Sequence, residues 1–190
     1  MLILASASPR RQELLRNAGI GFLIHPANIP EVPLANEKAQ IFAERMAREK
    51  ALAVFQSHGN NVALGADTVV LVNGEILGKP SDQQDAARML RLLSGETHTV
   101  ITGVCLAGTD NYGKLFEDTR SETTQVTVAD LSEGDIASYV SSGEPMDKAG
   151  GYAIQGIASR WITRIEGDYF NVVGLPVALV WKMLKEHNVL

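Results

Sequence analysis

Three short segments of this 190-residue sequence combine charged side chains with glycine or proline beside apolar runs. They are residues 6–11 (SASPRR), residues 65–68 (GADT) with residues 78–80 (GKP), and residues 144–156 (EPMDKAGGYAIQG). Glycine and proline interrupt regular structure, so segments of this kind form the loops and strand ends where ligands commonly bind. Together the three segments supply three carboxylates, several cations and a side-chain amide, which are groups suited to phosphate chemistry.

The first segment predicts a cradle for phosphate at the start of a helix. Ser8 can cap that helix, and Pro9 suits its first position. Free backbone amides and the positive end of the helix dipole would then point to where Arg10 and Arg11 lie, and this combination favours an anion. The structural alternative is that Ser8 and Pro9 only begin the helix and that the two arginines are solvated, although arginine is mildly unfavourable at this helix end.

Asp67 is the candidate for acid–base or metal chemistry. It follows the apolar run at residues 62–66, so we expect it at or just beyond the carboxyl end of a buried strand, where open α/β sheets bind ligands. An unperturbed aspartate, with a pKa of about 3.9, is too weak a base to ionise bulk water alone. A divalent cation is therefore implied. The alternative is that Asp67 caps a turn through Thr68.

Lys79 and Gln155 are candidate contacts to a nucleotide. Lys79 lies between Gly78 and Pro80 and so cannot be inside a helix, and its ammonium suits a phosphate oxygen. The segment is not a P-loop, which needs four residues between its glycines and Ser or Thr after the lysine. The Gln155 amide offers one donor side and one acceptor side, which matches O4 and N3 of uracil or thymine. The alternatives are a surface-turn lysine and a glutamine on the exposed face of a strand.

Alternating strands and helices must position these residues, which predicts the α/β class. Strands are predicted at residues 2–5, 21–25, 62–64, 69–72, 75–77, 100–107, 122–128, 152–154 and 161–165. A first helix begins at Pro9 and closes at residues 17–19, and further helices are predicted at residues 36–55, 81–93, 132–141 and 176–187. The prolines of residues 26–33 predict a loop, and the Asn73-Gly74 pair predicts a hairpin turn.

The composition is that of a single globular domain spanning residues 1–190, with 45% hydrophobic and 21% charged residues. No apolar run is long enough for a membrane span, and two arginines interrupt any signal peptide, so we expect a cytoplasmic protein without membrane contact. The net charge of −5 argues against nucleic-acid binding but leaves room for a small anion. The lone Cys105 excludes an internal disulfide and a multi-cysteine zinc site, and we expect it to be buried.

Seven motifs, in order and spacing, resemble the Maf family. They are SASPRRQELL (residues 6–15), AREKA (47–51), GADT (65–68), GKP (78–80), LSG (93–95), DKAGGYAIQG (147–156) and NVVGLP (171–176). The resemblance covers essentially the whole chain. It implies a fold related to the inosine triphosphate pyrophosphatases, with a long mixed sheet flanked by helices, two lobes with a cleft between them, and assembly as a homodimer. It also implies hydrolysis of a nucleoside triphosphate between the α- and β-phosphates.

The resemblance assigns roles to individual positions. Asp67 matches the family's catalytic base, and with Glu31 it would hold Mg²⁺ or Mn²⁺. The charged positions that match residues holding the metal and the triphosphate are Glu31, Arg11, Lys50 and Lys79. The positions associated with base choice are Arg11, Thr68 and Gln155. The GYAIQG form of the last segment resembles the branch that acts on dTTP and UTP.

Two other functions are compatible with the sequence. The chain could bind nucleotide as a regulator of cell division and septum formation without significant turnover, or it could be a phosphohydrolase that releases orthophosphate from a phosphomonoester. Product analysis separates these alternatives. Within the pyrophosphatase hypothesis, dTTP, UTP, CTP and modified pyrimidine nucleotides all remain candidates, because one amide that reads O4 and N3 leaves C5 unread.

Overall fold

The computed structural model describes residues 1–59, 61–110 and 113–190, and within them seven strands form one sheet. The strands are β1 (Leu2–Leu4), β2 (Phe22–Ile24), β3 (Val62–Val72), β4 (Glu75–Leu77), β5 (Thr97–Thr109), β6 (Leu115–Val128) and β7 (Ile162–Glu166). Their order is β2-β1-β3-β5-β6-β7, with β4 paired to β3. Both β2 and β3 run parallel to β1, whereas β4 is antiparallel to β3 and β7 to β6.

Helices alternate with these strands along the chain. They are α1 (Pro9–Asn17), α2 (Ala39–Ser57), α3 (Gln83–Leu93), α4 (Glu133–Ser141), α5 (Tyr169–Val173) and α6 (Val177–Glu186). The predicted α/β class and mixed sheet are therefore confirmed. No helix of the described residues is long and apolar enough to span a membrane.

The chain divides into two compact units. The first comprises Met1–Thr68, Thr102–Glu122 and Gly174–Leu190, and the second comprises Val69–Ile101 and Thr123–Val173. Three long strands, β3, β5 and β6, contribute residues to both units. The assignment of residues 1–190 to a single domain stays a prediction.

In the first unit, α2 packs on the sheet through small residues. Ile3, Ala47, Ala51, Ala63 and Cys105 belong to one buried cluster. Ala47 and Ala51 lie four residues apart on one face of α2, so the helix backbone can approach the strands closely. Cys105 is fully buried, as predicted, and burial raises the pKa of its thiol to about 11.

In the second unit, local sequence signals start the main helices. Ser132 caps α4 and forms a reciprocal capping box with Asp135. Asp82 caps α3 by accepting a hydrogen bond from the Asp85 amide, one residue after the predicted helix start at residue 81. The carboxylate reaches the amide three residues ahead, the geometry that favours aspartate at this position. The predicted Asn73-Gly74 hairpin is confirmed, with both residues at positive φ between β3 and β4.

Several predicted strand boundaries are wrong. For example, β6 begins at Leu115 and not at residue 122. Residues 62–72 form one continuous strand, because Gly65 does not end the strand and residues 63–67 are all buried within it. Residues 152–154 are not a strand. The Gly156 amide instead donates to the Ala153 carbonyl at 3.0 Å, which closes a turn.

Candidate active site

The first unit brings together two carboxylates and one ammonium. Lys50 Nζ lies 2.6 Å from Asp67 Oδ1 and 2.5 Å from Glu31 Oε1. Lys50 and Asp67 are buried, whereas Glu31 is exposed on a loop. The three residues come from α2, β3 and the loop before α2, so the cluster exists only in the folded chain.

Close packing of α2 on β3 places Lys50 beside Asp67. A Cβ at Gly65 would lie only 2.0 Å from the Ala47 carbonyl oxygen and 2.7 Å from the Ala51 amide nitrogen. Gly65 and Asp67 point to the same face of β3 because side chains alternate along a strand. Lys50 follows Ala47 by three residues and therefore lies over the same stretch of strand. The absence of a side chain at Gly65 thus lets α2 pack close enough to β3 for Lys50 to reach Asp67.

A second ion pair holds the loop that carries Glu31. Arg45 of α2 donates to Glu37 through Nε and Nη2, each at 2.7 Å, and to the Val32 carbonyl at 3.0 Å. Glu37 also accepts from the Leu34 amide at 2.9 Å. The hydrogen bond from Arg45 lowers the pKa of Glu37 to about 2. Glu31 is therefore next to a backbone position that is tied directly to α2.

The ionisation of Asp67 reflects competing effects. Burial, the largest effect, raises the pKa of Asp67, and the neighbouring charges of Lys50 and Arg11 oppose it. Burial also lowers the pKa of Arg11, against the charges of Asp67 and Glu31. An arginine remains protonated under all ordinary conditions. Asp67 is thus a carboxylate in a poorly solvated position whose charge is supported by two cations.

Arg11 connects several segments of the first unit. Within the described chain its guanidinium donates to four acceptors: the Gly174 and Ala66 carbonyls at 2.8 and 2.9 Å, Ser6 Oγ at 3.2 Å and Thr68 Oγ1 at 3.1 Å. A guanidinium has five N–H groups, so four of the five are engaged. Arg11 and Thr68, which were predicted to act together in base choice, are in direct contact.

The start of α1 differs in one respect from the expected phosphate cradle, and phosphate binding there stays a prediction. Pro9 is the first helical residue, as expected, but the Ser8 side chain makes no capping hydrogen bond. The Ser8 amide donates instead to Ser6 Oγ at 3.2 Å, so the upstream serine satisfies this part of the helix start. Ser8 and Arg10 are both half-buried beside it.

The donor set fits a hard divalent cation. Two carboxylates converge on one ammonium, which shows that oxygen ligands already surround a cationic group here. Magnesium commonly binds one or two protein carboxylates and completes its shell with water and substrate phosphates. Among the residues that the structure describes, no group of three or more His, Cys, Asp or Glu side chains could hold a metal ion. Asp67 and Glu31 would fit a magnesium site of the kind that uses only two protein carboxylates.

The second unit carries Lys79 and Gln155. Lys79 is exposed, and the preceding Gly78 carbonyl accepts a hydrogen bond from the Gly150 amide at 2.9 Å. Gln155 is exposed in the turn at residues 153–156. The alternative that placed Gln155 on a strand is therefore wrong, because the chain reverses at this point.

Comparison with known proteins identifies the family. The family model described as Maf-like protein matches residues 1–187. The chain belongs to the Maf family. Among its relatives is a protein named dTTP/UTP pyrophosphatase from Koribacter versatilis. It is 55% identical over 189 residues, which cover 100% of this chain and 95% of that protein. A protein of the same name from Syntrophomonas wolfei is 48% identical over 181 residues, which cover 95% of this chain and 94% of that protein.

A third relative of this Maf protein, a dTTP/UTP pyrophosphatase from Geobacter sulfurreducens, is 47% identical over 184 residues, which cover 97% of this chain and 95% of that protein. The crystal structure of a nucleoside-triphosphatase / dITP/XTP pyrophosphatase from Mycobacterium abscessus is a more distant likeness. Its TM-score is 0.41, with 16% identity over 68% of this chain and 74% of that chain.

Several supporting residues of the Maf site were not among the predicted site residues. Ser6 and the Gly174 carbonyl accept from Arg11, and Thr102 Oγ1 lies 3.0 Å from Thr68 Oγ1. Arg45, which donates to Glu37 and to the Val32 carbonyl, was also not predicted. For Gly174 the sequence did offer a signal, namely a glycine within the motif NVVGLP. The structure gives the reason for glycine there, since a φ of +126° excludes most side chains. No comparable signal marks Arg45 or Thr102, because their roles depend on contacts distant in sequence.

Proposed function

We propose that this Maf protein hydrolyses dTTP and UTP to the nucleoside monophosphate and pyrophosphate. The observation that carries the chemistry is the buried Asp67 carboxylate, held at 2.6 Å by Lys50 beside Glu31. The substrate class follows from the full-length similarity to proteins named dTTP/UTP pyrophosphatase. A hydrolase acting on an acid anhydride needs a positioned base and charge neutralisation, and the cluster offers groups for both.

In the proposed reaction, Asp67 orients a water molecule and accepts its proton. The water oxygen forms a bond to the α-phosphorus, and the bond from that phosphorus to the bridging oxygen breaks. Pyrophosphate leaves with the electron pair of that bond. Burial of Asp67 suits this role, because the pKa shift it causes makes the carboxylate a stronger base than a solvated aspartate.

We propose that Asp67 and Glu31 hold Mg²⁺ or Mn²⁺ during turnover. When bound, such a cation would neutralise phosphate charge and acidify water beside it. Lys50 keeps the two carboxylates close together, and its charge also counters the developing charge on the leaving group. The remaining proposed phosphate contacts are Ser8, Arg10, Arg11 and Lys79.

Base choice is proposed to depend on Arg11, Thr68 and Gln155. The Arg11 contact to Thr68 Oγ1, at 3.1 Å, fixes the orientation of both side chains. Gln155 supplies the paired donor and acceptor that uracil and thymine require. We further propose that the protein acts in the cytoplasm as a homodimer of single-domain chains spanning residues 1–190, without nucleic-acid or membrane partners.

The test is product analysis of the purified protein in H₂¹⁸O, with Mg²⁺ or Mn²⁺ and a panel of pyrimidine and purine nucleoside triphosphates. Monophosphate and pyrophosphate are scored separately. We expect turnover of dTTP and UTP with ¹⁸O in the monophosphate, since water is proposed to attack the α-phosphorus. Label in pyrophosphate would place the attack at the β-phosphorus, and orthophosphate as first product would favour phosphomonoester chemistry. Nucleotide binding without turnover would favour the regulatory alternative.

The role of Asp67 has its own test. Replacing it in Asp67→Asn keeps the size of the side chain but removes the base, so kcat for dTTP should fall about 10²- to 10⁴-fold, the scale of a lost general base. Asp110→Asn, at an exposed aspartate whose side chain accepts the Lys114 amide, is the matched control and should keep wild-type kcat. A folded Asp67→Asn protein with near-normal kcat would refute the assignment.

A further inference from the structure

Two side chains of the second unit, Tyr139 and Glu144, form a hydrogen-bonded pair that the proposed reaction does not use. Tyr139 lies in α4 and is 1% exposed, and its hydroxyl donates to Glu144 Oε1 at 2.9 Å. Glu144 opens the short 3₁₀ helix Glu144–Asp147 and is half-buried. The Tyr139 ring packs edge-on against Trp161, with ring centroids 5.5 Å apart. The hydroxyl is therefore fixed in position by packing as well as by its acceptor.

This pair holds the backbone on both sides of Gln155. Before the turn, the Ala153 amide donates to the Tyr139 hydroxyl at 3.2 Å. After it, the Ile157 amide donates to Glu144 at 3.0 Å from Oε1 and 3.2 Å from Oε2. The turn itself is closed by the hydrogen bond from the Gly156 amide to the Ala153 carbonyl. Gln155 thus projects from a backbone that is anchored at residues 153 and 157.

Gly156 records how closely the carboxylate approaches the turn. A Cβ at this position would lie 2.2 Å from Glu144 Oε1 and 2.5 Å from Oε2. The φ of Gly156 is −107°, outside the left-handed region, so a side chain here would displace the Glu144 carboxylate and would not strain φ. The carboxylate occupies the space that a side chain next to Gln155 would fill.

We infer that Tyr139 and Glu144 are positioning residues for base recognition, which act by fixing the turn that presents Gln155 to a pyrimidine. This inference rests on the proposed function. Neither side chain needs to touch the nucleotide. A hydrogen-bonding side chain discriminates between bases only when its backbone is held within a fraction of an ångström, and the pair supplies that constraint from a buried phenol and a carboxylate.

A purely structural tie between α4 and the turn would predict a different result. Loss of such a tie would reduce kcat/KM for every nucleotide by the same factor. Loss of a positioning contact should instead reduce the preference for dTTP over dGTP, because only the pyrimidine uses the O4 and N3 contacts of Gln155. The preference, expressed as the ratio of the two kcat/KM values, is therefore the decisive quantity.

Two variants test the inference. Glu144→Ala removes the acceptor of both the Tyr139 hydroxyl and the Ile157 amide, and Tyr139→Phe removes the hydroxyl while keeping the ring. In each, the dTTP preference should fall about 10- to 100-fold, the scale of a displacement near 1 Å, while kcat/KM for dGTP changes less than about twofold. Hydrogen exchange at the Ala153 and Ile157 amides should become faster. Glu96→Ala, at an exposed glutamate of the same unit, is the matched control.

A double-mutant cycle with Gln155→Ala completes the test. If Glu144 acts through Gln155, then adding Glu144→Ala to Gln155→Ala should leave the dTTP preference unchanged. A preference retained in the single Glu144→Ala variant, or an equal loss for both nucleotides, would overturn the inference. If Tyr139→Phe does not fold, Glu144→Ala still decides the question. A wild-type protein without any pyrimidine preference would refute the proposed function itself, and the inference with it.

Discussion

A single methyl group added at Gly65 should separate α2 from β3 and disturb the contact between Lys50 and Asp67. In Gly65→Ala, the new Cβ would lie 2.0 Å from the Ala47 carbonyl oxygen, 2.7 Å from the Ala51 amide nitrogen and 3.0 Å from Ala51 Cβ. The two shortest contacts are to backbone atoms, which no side-chain rotation can relieve. The helix must therefore move as a body.

The size of this movement follows from ordinary contact distances. A carbon atom and a carbonyl oxygen approach to about 3.3 Å, so the 2.0 Å contact requires a shift of roughly 1.3 Å. Overpacking of this kind costs about 1–3 kcal/mol of unfolding free energy. Lys50 would move with the helix, away from an Asp67 oxygen that is now 2.6 Å distant. A misplacement near 1 Å costs about 10²-fold in rate, which is the expected loss in kcat.

Two measurements check this prediction: the urea midpoint of unfolding and kcat for dTTP. Gly21→Ala is the control, because Gly21 has no atom of the described residues within 4 Å of its added Cβ and no positive φ. The control should retain wild-type kcat. Wild-type kcat in Gly65→Ala would show that the close approach of α2 does not position Lys50.

The remaining predictions concern buried charge. Lys50→Met should cost about 3–5 kcal/mol, because it leaves Asp67 buried without its nearest cation; unchanged stability in urea would contradict the pairing. Burial lowers the pKa of His98 to about 4, below the unfolded value of 6.5. Between these two pH values the unfolded chain binds a proton that the folded chain does not. The contribution of neutral His98 to the free energy of unfolding is therefore fully present above pH 6.5 and is lost as the pH falls toward 4. From pH 7 to pH 5 the loss should be about 2 kcal/mol in urea titrations, and a similar loss in His98→Gln would refute the assignment to His98.

Local signals in the sequence predicted the parts of the fold that depend on neighbouring residues. The Asn73-Gly74 hairpin, the start of α4 near Ser132 and the end of the first helix before Gly19 all follow from short-range backbone preferences. These elements lie at or within two residues of their predicted positions. Each is determined by a few contiguous residues, which is the information that a single sequence contains.

The errors arose where a tertiary contact sets the conformation. Gly65 suggested a break between two strands, yet its lack of a side chain serves the approach of α2 to a continuous strand. Residues 152–154 were predicted as a strand, although contacts from Tyr139 and Glu144 hold a turn beside them. Gly65 therefore marked a structurally important position, but the sequence did not show why glycine is needed there. No local pattern distinguishes a glycine that ends a strand from one that admits a neighbouring backbone.

The charges of the first-unit cluster constrain how a triphosphate can bind. Lys50 and Arg11 contribute two positive charges, and Asp67 and Glu31 contribute two negative charges when ionised, so these four side chains present no net positive charge. Most Arg11 donors are already engaged with protein acceptors, and the Lys50 ammonium contacts both carboxylates. A polyanion gains little from such a balanced group. Its attraction must come from further cations, which the proposed divalent metal and the other proposed phosphate contacts would provide, and this explains why a chain of net charge −5 can have an anionic substrate.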